Sequence, residues 1–293
     1  MAKHVGIVAC SAEGAALCYR TLCAEAPALM GEYMHPEVSM HTHPLGEYIV
    51  HIRSGNWAEV AKLMLSSARK LAEIGAEFAI CPDNTIHQAF DLVVAQSPIP
   101  WLHIAEVVGR EAATRGLNVL AVMGTKYLMT GPVYPEILRR FGISCQIPEE
   151  PDRDRIDSII FKELVNGLFK KASRTYFNTV MQKMKDGGCE GVVLGCTEIP
   201  LLVDPDDCPL PTLDSTRLLA KAALKESLRE DQEESLSLLS SLSLRNSNEL
   251  EPAKETLENA VPSPMASWRK SEGKIRTLNF SLADNRRTRS RLT

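Results

Sequence analysis

The chain reads as an α/β fold made of two similar halves, each with a mostly parallel sheet, facing one another across a cleft. Three observations carry that reading. In the stretch Gly188–Pro200, Val192, Val193 and Leu194 form a short apolar run behind glycines. Such a run marks a strand buried on both faces of a parallel sheet. Gly195 ends it, which sets Cys196 and Thr197 at the carboxyl end of the strand, the edge where open α/β sheets bind ligands. The second observation is an echo upstream. Residues 75–86 align with 188–199 without a gap, placing Gly75 on Gly188, Glu77 on Glu190, Ile86 on Ile199, and Asp83 opposite Cys196. The third is that Val5–Ser11 and Val119–Thr125 match within one residue, each an apolar strand ending in a small residue and a hydroxyl. Any two βα units share some pattern, but two coincident offsets point to a repeat that aims Asp83 and Cys196 at one cleft.

Composition narrows the class. The 293 residues are 44% hydrophobic and 24% charged, as in a soluble globular protein, and suffice for one large or two modest domains. A formal net charge of −4 gives no electrostatic case for nucleic acid or an anionic membrane, and no apolar run approaches a bilayer span. The N-terminus runs directly into a strand, so no signal peptide is expected there. Eight cysteines show no framework spacing and no Cys-x-x-Cys pair, which reads as reduced thiols in a cytoplasmic chain.

Taken in order, residues 4–10 are the first strand, and Ser11 and the small residues after it turn into a helix that ends near Pro27. Small residues and a serine at such a turn suit an anion site of N–H groups, although the glycines are too few for a dinucleotide fingerprint or a P-loop. Four of the seven histidines (His35, His41, His43 and His51) fall within 35–51. On a strand His41 and His43 would share a face, so the segment is open to a metal, to contacts with a substrate carboxylate, or to a plain structural loop. Intervening prolines and the lack of a clear third ligand argue against the metal. Trp57–Ile74 has its apolar residues at helical spacing and leads through Gly75 into strand 78–81 and the Asp83 loop. A helix is expected over Gln88–Val94, and another after Trp101–Ile104 as far as Arg115.

The second half repeats the plan. Gly124-Thr125 ends its first strand, a helix runs from Tyr134 to Phe141, and Pro148–Asp154 reads as a loop. Ile156–Lys185 reads as one helix containing Gly167. Prolines 205, 209 and 211 mark a return crossing, and Asp214-Ser215-Thr216 a helix N-cap run. The expected division is 1–103 for the half carrying Asp83, 104–204 for the half carrying Cys196, 205–226 for a return segment packing on the first half, and 227–293 for a disordered extension. Within that extension a short helix over 234–244 fits the pattern. The last 25 residues hold eight Lys/Arg against two acids, either a solvated appendage or a basic partner-binding tail.

Two motifs then become specific. Gly195-Cys196-Thr197-Glu198-Ile199-Pro200 and Pro82-Asp83-Asn84-Thr85-Ile86-His87 resemble the two signatures of the aspartate/glutamate racemase family, which includes hydantoin racemases, decarboxylases and isomerases. Glu13, Tyr19 and the Gly124-Thr125 turn also look like family features, and the resemblance covers about residues 3–225. It implies two pseudo-symmetric α/β domains with the active site between them, and a cofactor-independent, two-base transfer of the α-proton, with no metal. It also admits a homodimer. Cys196 matches one catalytic thiol. Asp83 stands where the family places its other cysteine, with Cys81 two residues earlier as the alternative.

On this resemblance Cys196 and Asp83 are the acid/base pair, and Asn84, Thr85, Thr125, Thr197, Ser11 and His43 contact the substrate. His87 matches a family position, with a structural hydrogen-bonding role as its alternative. The α-proton of an amino acid is weakly acidic, so such a site must supply a strong base and stabilise an enediolate-like carboxylate. Aspartate or glutamate is the expected substrate. Against that, the arginine near 41–45 and lysine near 165 of aspartate-directed members are replaced by His41-Thr42-His43-Pro44 and Val165-Asn166. The rival readings are a decarboxylase or cis–trans isomerase of a small dicarboxylate, and an amino-acid-binding protein without catalysis.

Overall fold

The computed structural model describes residues 2–229. The expectations for 230–293, including the helix over 234–244 and the basic end, lie outside the described residues. Two four-stranded sheets organise the rest. The first has the order β2-β1-β3-β4, from β1 (Val5–Ala9), β2 (Val38–Thr42), β3 (Phe78–Ile80) and β4 (Trp101–Leu102). The second has the same order one unit later, β6-β5-β7-β8, from β5 (Val119–Met123), β6 (Ser144–Gln146), β7 (Gly191–Leu194) and β8 (Thr212–Asp214). Every neighbouring pair is parallel. The repeat seen in the sequence is therefore a repeat of topology.

Alternation along each strand explains why these runs are apolar throughout. Val5, Ile7, Phe78 and Ile80 enter one core with Cys18 and Leu22, while Val8, Cys10, Ala79 and Cys81 enter another with Tyr48, Ile52 and Met64. Side chains of successive strand residues point to opposite faces, and helices cover both faces, so no position can be polar without a partner. In the second sheet Leu120, Val122 and Val193 face one core, and Ala121, Met123, Val192 and Leu194 the other. Fully buried residues such as Ile7 and Ile80 each contribute about 1.5–3 kcal/mol relative to exposure.

Several boundaries differ from the sequence expectation. The expected single helix over Ile156–Lys185 is two helices, Glu150–Lys162 and Lys171–Asp186, separated by a short 3-10 turn. Gly167 breaks it by taking φ 71°, a left-handed conformation that glycine adopts without steric cost. The expected loop over Pro148–Asp154 is helical from Glu150, because Pro151 lies in the first turn, where its missing N–H costs nothing. Residues 205–226 divide between the halves. The segment β8 completes the second sheet beside β7, which corrects the expectation that the whole segment packs on the first half. The helix after it, Ser215–Ser227, capped by the Asp214 side chain, places Leu219, Ala220 and Ala223 against Val5 and Ile7 in the first sheet's core.

Candidate active site

The site candidates from the two motifs sit where parallel strands run out. After β1 come Cys10 and Ser11, and two residues beyond Cys81, which follows β3, comes Asp83. The register Val5↔Phe78 to Ile7↔Ile80, continued past the strands, brings Cys10 beside Asp83. The register ending in Met123↔Leu194, continued likewise, brings Thr125 beside Cys196. All four residues line one cavity, together with Ser11, Thr85, Tyr127 and Glu198. Loops pack closely around it. A Cβ on Gly14 would meet the Thr197 side chain at 2.6 Å, so only glycine lets the first turn of the helix Ala12–Glu25 approach the loop after β7.

On the first half, Asp83 Oδ1 accepts from the Ile86 N–H at 3.1 Å, and Cys10 is its neighbour on the adjoining strand end. Asp83 opens partly onto the cavity, yet desolvation, with the Glu198 carboxylate adding to it, raises its pKa above the ordinary range. Burial, reinforced by Asp83, pushes the Cys10 thiol well above its usual value. His87 supports this turn from behind. The Ile104 N–H donates to its Nε2 at 3.3 Å, so the ring proton is on Nδ1 and donates to the Asp83 carbonyl oxygen at 2.6 Å. Burial and His103 hold His87 well below the normal histidine range, and therefore neutral.

On the second half, the Cys196 thiol donates to Glu198 Oε2 at 3.0 Å, and the Thr197 hydroxyl donates to the same oxygen at 2.9 Å. Thr197 has spent its one proton, so Ser11 Oγ, 3.1 Å away, is the donor to Thr197. The Ser11 oxygen also accepts from the Gly14 N–H, capping the helix that follows. Desolvation, and next the Glu198 carboxylate, raise the Cys196 pKa well above the ordinary thiol value. Thr85 and Thr125 face each other across the halves, Oγ1 to Oγ1 at 2.9 Å, and Thr125 Oγ1 accepts from the Leu128 N–H. One hydroxyl proton of that pair is left for a ligand.

The cavity gathers Cys196, Asp83, Ser11, Thr85 and Thr125, but three other candidates lie outside its lining. Asn84 is buried, donating to Ser215 Oγ at 2.9 Å and accepting from the Tyr134 hydroxyl at 2.7 Å. Both the nitrogen and the oxygen of its amide are held by the fold. Thr197 reaches the site only through its bond to Glu198. His43 borders an adjoining open groove that shares Cys10, Ser11 and Leu45 with the cavity, with Nε2 3.2 Å from Ser66 Oγ, and His41 binds Ser67 and Lys70. Among the described residues no set of three or more His, Cys, Asp and Glu side chains could hold a metal ion. Cys81 is fully buried in the core beside Tyr48 and does not line the cavity. Sequence reasoning gave no role to Cys10, Glu198 or Tyr127. Glu198 had a signal, since it stands inside the second motif, whereas Cys10 is recognisable only once β1 pairs with β3.

Fold and cavity together define an α/β protein of two like halves that oppose a thiol–carboxylate pair to a second one. The chain belongs to the Asp/Glu/Hydantoin racemase family, whose model matches residues 7–223. It is 21% identical over 166 residues to the broad-specificity amino-acid racemase RacX of Bacillus subtilis (strain 168), covering 57% of this chain and 71% of that one. A candidate Asp/Glu racemase from Yersinia pestis is 29% identical with a TM-score of 0.71, over 77% of this chain and 99% of that structure. An aspartate racemase homologue from Pyrococcus horikoshii OT3 is 26% identical with a TM-score of 0.67, over 78% of this chain and 99% of that structure.

Proposed function

We propose that the protein is a cofactor-independent racemase of α-amino acids, working by two-base transfer of the α-proton with Asp83 and Cys196 as the proton-transfer groups. The carrying observation is that a single cavity holds Cys10 with Asp83 on one half and Cys196 with Glu198 on the other. In one direction the Asp83 carboxylate takes the α-proton, and the C–H electron pair moves into an enediolate. The Cys196 thiol then delivers its proton to the opposite face of the carbon. The reverse direction exchanges the roles. Because its pKa is raised, Asp83 is a stronger base than an ordinary aspartate. The unliganded Cys196 is held as the thiol, the form that donates. A substrate ammonium group entering beside Glu198 supplies the positive charge that favours the thiolate, the form needed as a base. The unspent hydroxyl proton of the Thr85–Thr125 pair suits the α-carboxylate.

The proposal includes a reducing cytoplasmic setting, which eight free cysteines favour, and a homodimer, which light scattering tests. Among the described residues no helix is long and apolar enough to cross a membrane. The test of the activity is proton NMR in D2O with each enantiomer of a panel of amino acids, followed by chiral analysis. Loss of the α-proton signal with inversion from both enantiomers is the expected result. Exchange with retention from one enantiomer alone would leave a single working face and overturn the two-base scheme.

A further inference from the structure

We infer that the amino acid this site accepts carries an apolar side chain, a conclusion that rests on the racemase reading above. Besides the thiols, the carboxylates and the hydroxyl-bearing Ser11, Thr85, Thr125 and Tyr127, the cavity is lined by hydrocarbon side chains. Leu45, Ile49 and Ile52 come from one face of the helix Leu45–Ser54, at the i, i+4, i+7 spacing that aligns side chains along a helix. Ile160, Phe161 and Val165 come from the second half. The cavity lining contains no Lys, Arg or His, and its only charged side chains are Asp83 and Glu198.

That distribution discriminates against charged side chains of both signs. A substrate carboxylate beyond Cβ would be desolvated against aliphatic carbon with no cation to pair with it, and it would feel two lining carboxylates of its own sign. The nearby cations do not fill the gap, because Lys70 is bound to His41, and both lie outside the lining. A lysine or arginine substrate meets the opposite difficulty. In the proposed scheme the two acids serve the reaction, Asp83 as a base and Glu198 facing the α-ammonium group, and the hydrocarbon side chains of the lining offer a second cation only apolar contacts. A branched or thioether chain of three to four heavy atoms matches the chemistry of that wall.

Pocket discrimination of a few methylenes is worth about 10–200-fold, and an unpaired buried charge adds to it. The expected result is therefore a kcat/KM for leucine and methionine at least about 100-fold above that for aspartate, glutamate, lysine or arginine. The experiment measures α-proton exchange in D2O and inversion for both enantiomers of these six amino acids with the full-length chain. Faster inversion of aspartate, glutamate, lysine or arginine than of leucine and methionine would overturn the apolar assignment and leave the racemase reading standing. No exchange with any of the twelve compounds would overturn the racemase reading itself and the inference with it. Two separate variants, Phe161→Arg and Val165→Lys, each add a cation to the wall. Both are expected to lower leucine turnover and raise that of aspartate, and a fall in both substrates' rates with unchanged thermal stability would count against the assignment.

Discussion

Cys196 Sγ and Glu198 Oε2 lie 3.0 Å apart, so a carboxylate, and not a cation, is the immediate partner of the thiol in the second signature. A neighbouring negative charge disfavours the thiolate and keeps the proton on sulfur. Glu198→Gln retains an acceptor oxygen and removes the charge. Alkylation of Cys196 by iodoacetamide at pH 8, followed by peptide mass spectrometry, is expected to speed up, since more of the thiol is then ionised. Racemisation is expected to fall by about 100-fold or more, because the variant loses the carboxylate that holds the thiol and faces the substrate ammonium. An unchanged alkylation rate would mean that Glu198 does not govern the thiol.

Asp83 and Cys196 are assigned opposite faces of the same carbon, which separates their variants. With Cys196→Ala, inversion is expected to stop. With Asp83→Asn, turnover is expected to fall by about 100- to 10,000-fold while substrate binding, followed by calorimetry, is retained. The asparagine keeps the acceptor that the Ile86 N–H requires, so the turn survives the change. Full activity in Asp83→Asn would remove that residue from the mechanism.

Cys10 tests how the first-half carboxylate is tuned. The neighbouring Cys10 thiol exerts a minor influence that lowers the aspartate pKa, against a larger desolvation effect that raises it. Removing the thiol with Cys10→Ala leaves desolvation unopposed by that influence, and the Asp83 pKa rises further. Asp83 must be ionised to take a proton, so the acid limb of kcat/KM against pH is expected to move to higher pH. Cys10→Ser restores a donor and is expected to move the limb back. An acid limb at the same pH in all three proteins would show that Cys10 has no influence on the base.

How much of this was legible in the sequence depends on whether the cause was local. The paired stretches ending at Asp83 and Cys196 are local patterns of apolar runs and turn residues, and they foretold two like α/β halves, whose sheets prove to share one strand order. The Cys10–Asp83 pair comes from strands 73 residues apart in sequence, since Cys10 and Asp83 are brought together only by the pairing of β1 with β3. The apolar wall was hidden for another reason. Leu45, Ile49 and Ile52 follow a cluster of histidines and prolines that drew attention to polar chemistry, while the histidine rings turn toward Ser66 and Ser67. Asn84 misled because its position in the motif gave no hint that Tyr134 and Ser215 would hold its amide in the core.

Two histidines behind the Asp83 turn predict how stability depends on pH. His87 and His103 are both neutralised by burial in the folded state, His103 with its pKa lowered to about 4 and His87 well below its usual value. The unfolded chain binds protons at both near pH 6.5, whereas the folded chain does not. Stability is therefore full above about pH 6.5 and falls as the pH drops toward 4, because the unfolded state then holds more protons. The Asp83 carboxyl, with its pKa raised, acts in the opposite sense, its folded form taking up a proton at a higher pH than its unfolded form. Thermal melts of the wild type between pH 7.5 and 4.5 are expected to show a falling Tm, and His87→Gln a shallower slope. The glutamine can still donate toward the Asp83 carbonyl but has no proton to gain. A Tm that stays level across this range, or an equal slope in wild type and variant, would show that His87 does not contribute to the acid sensitivity.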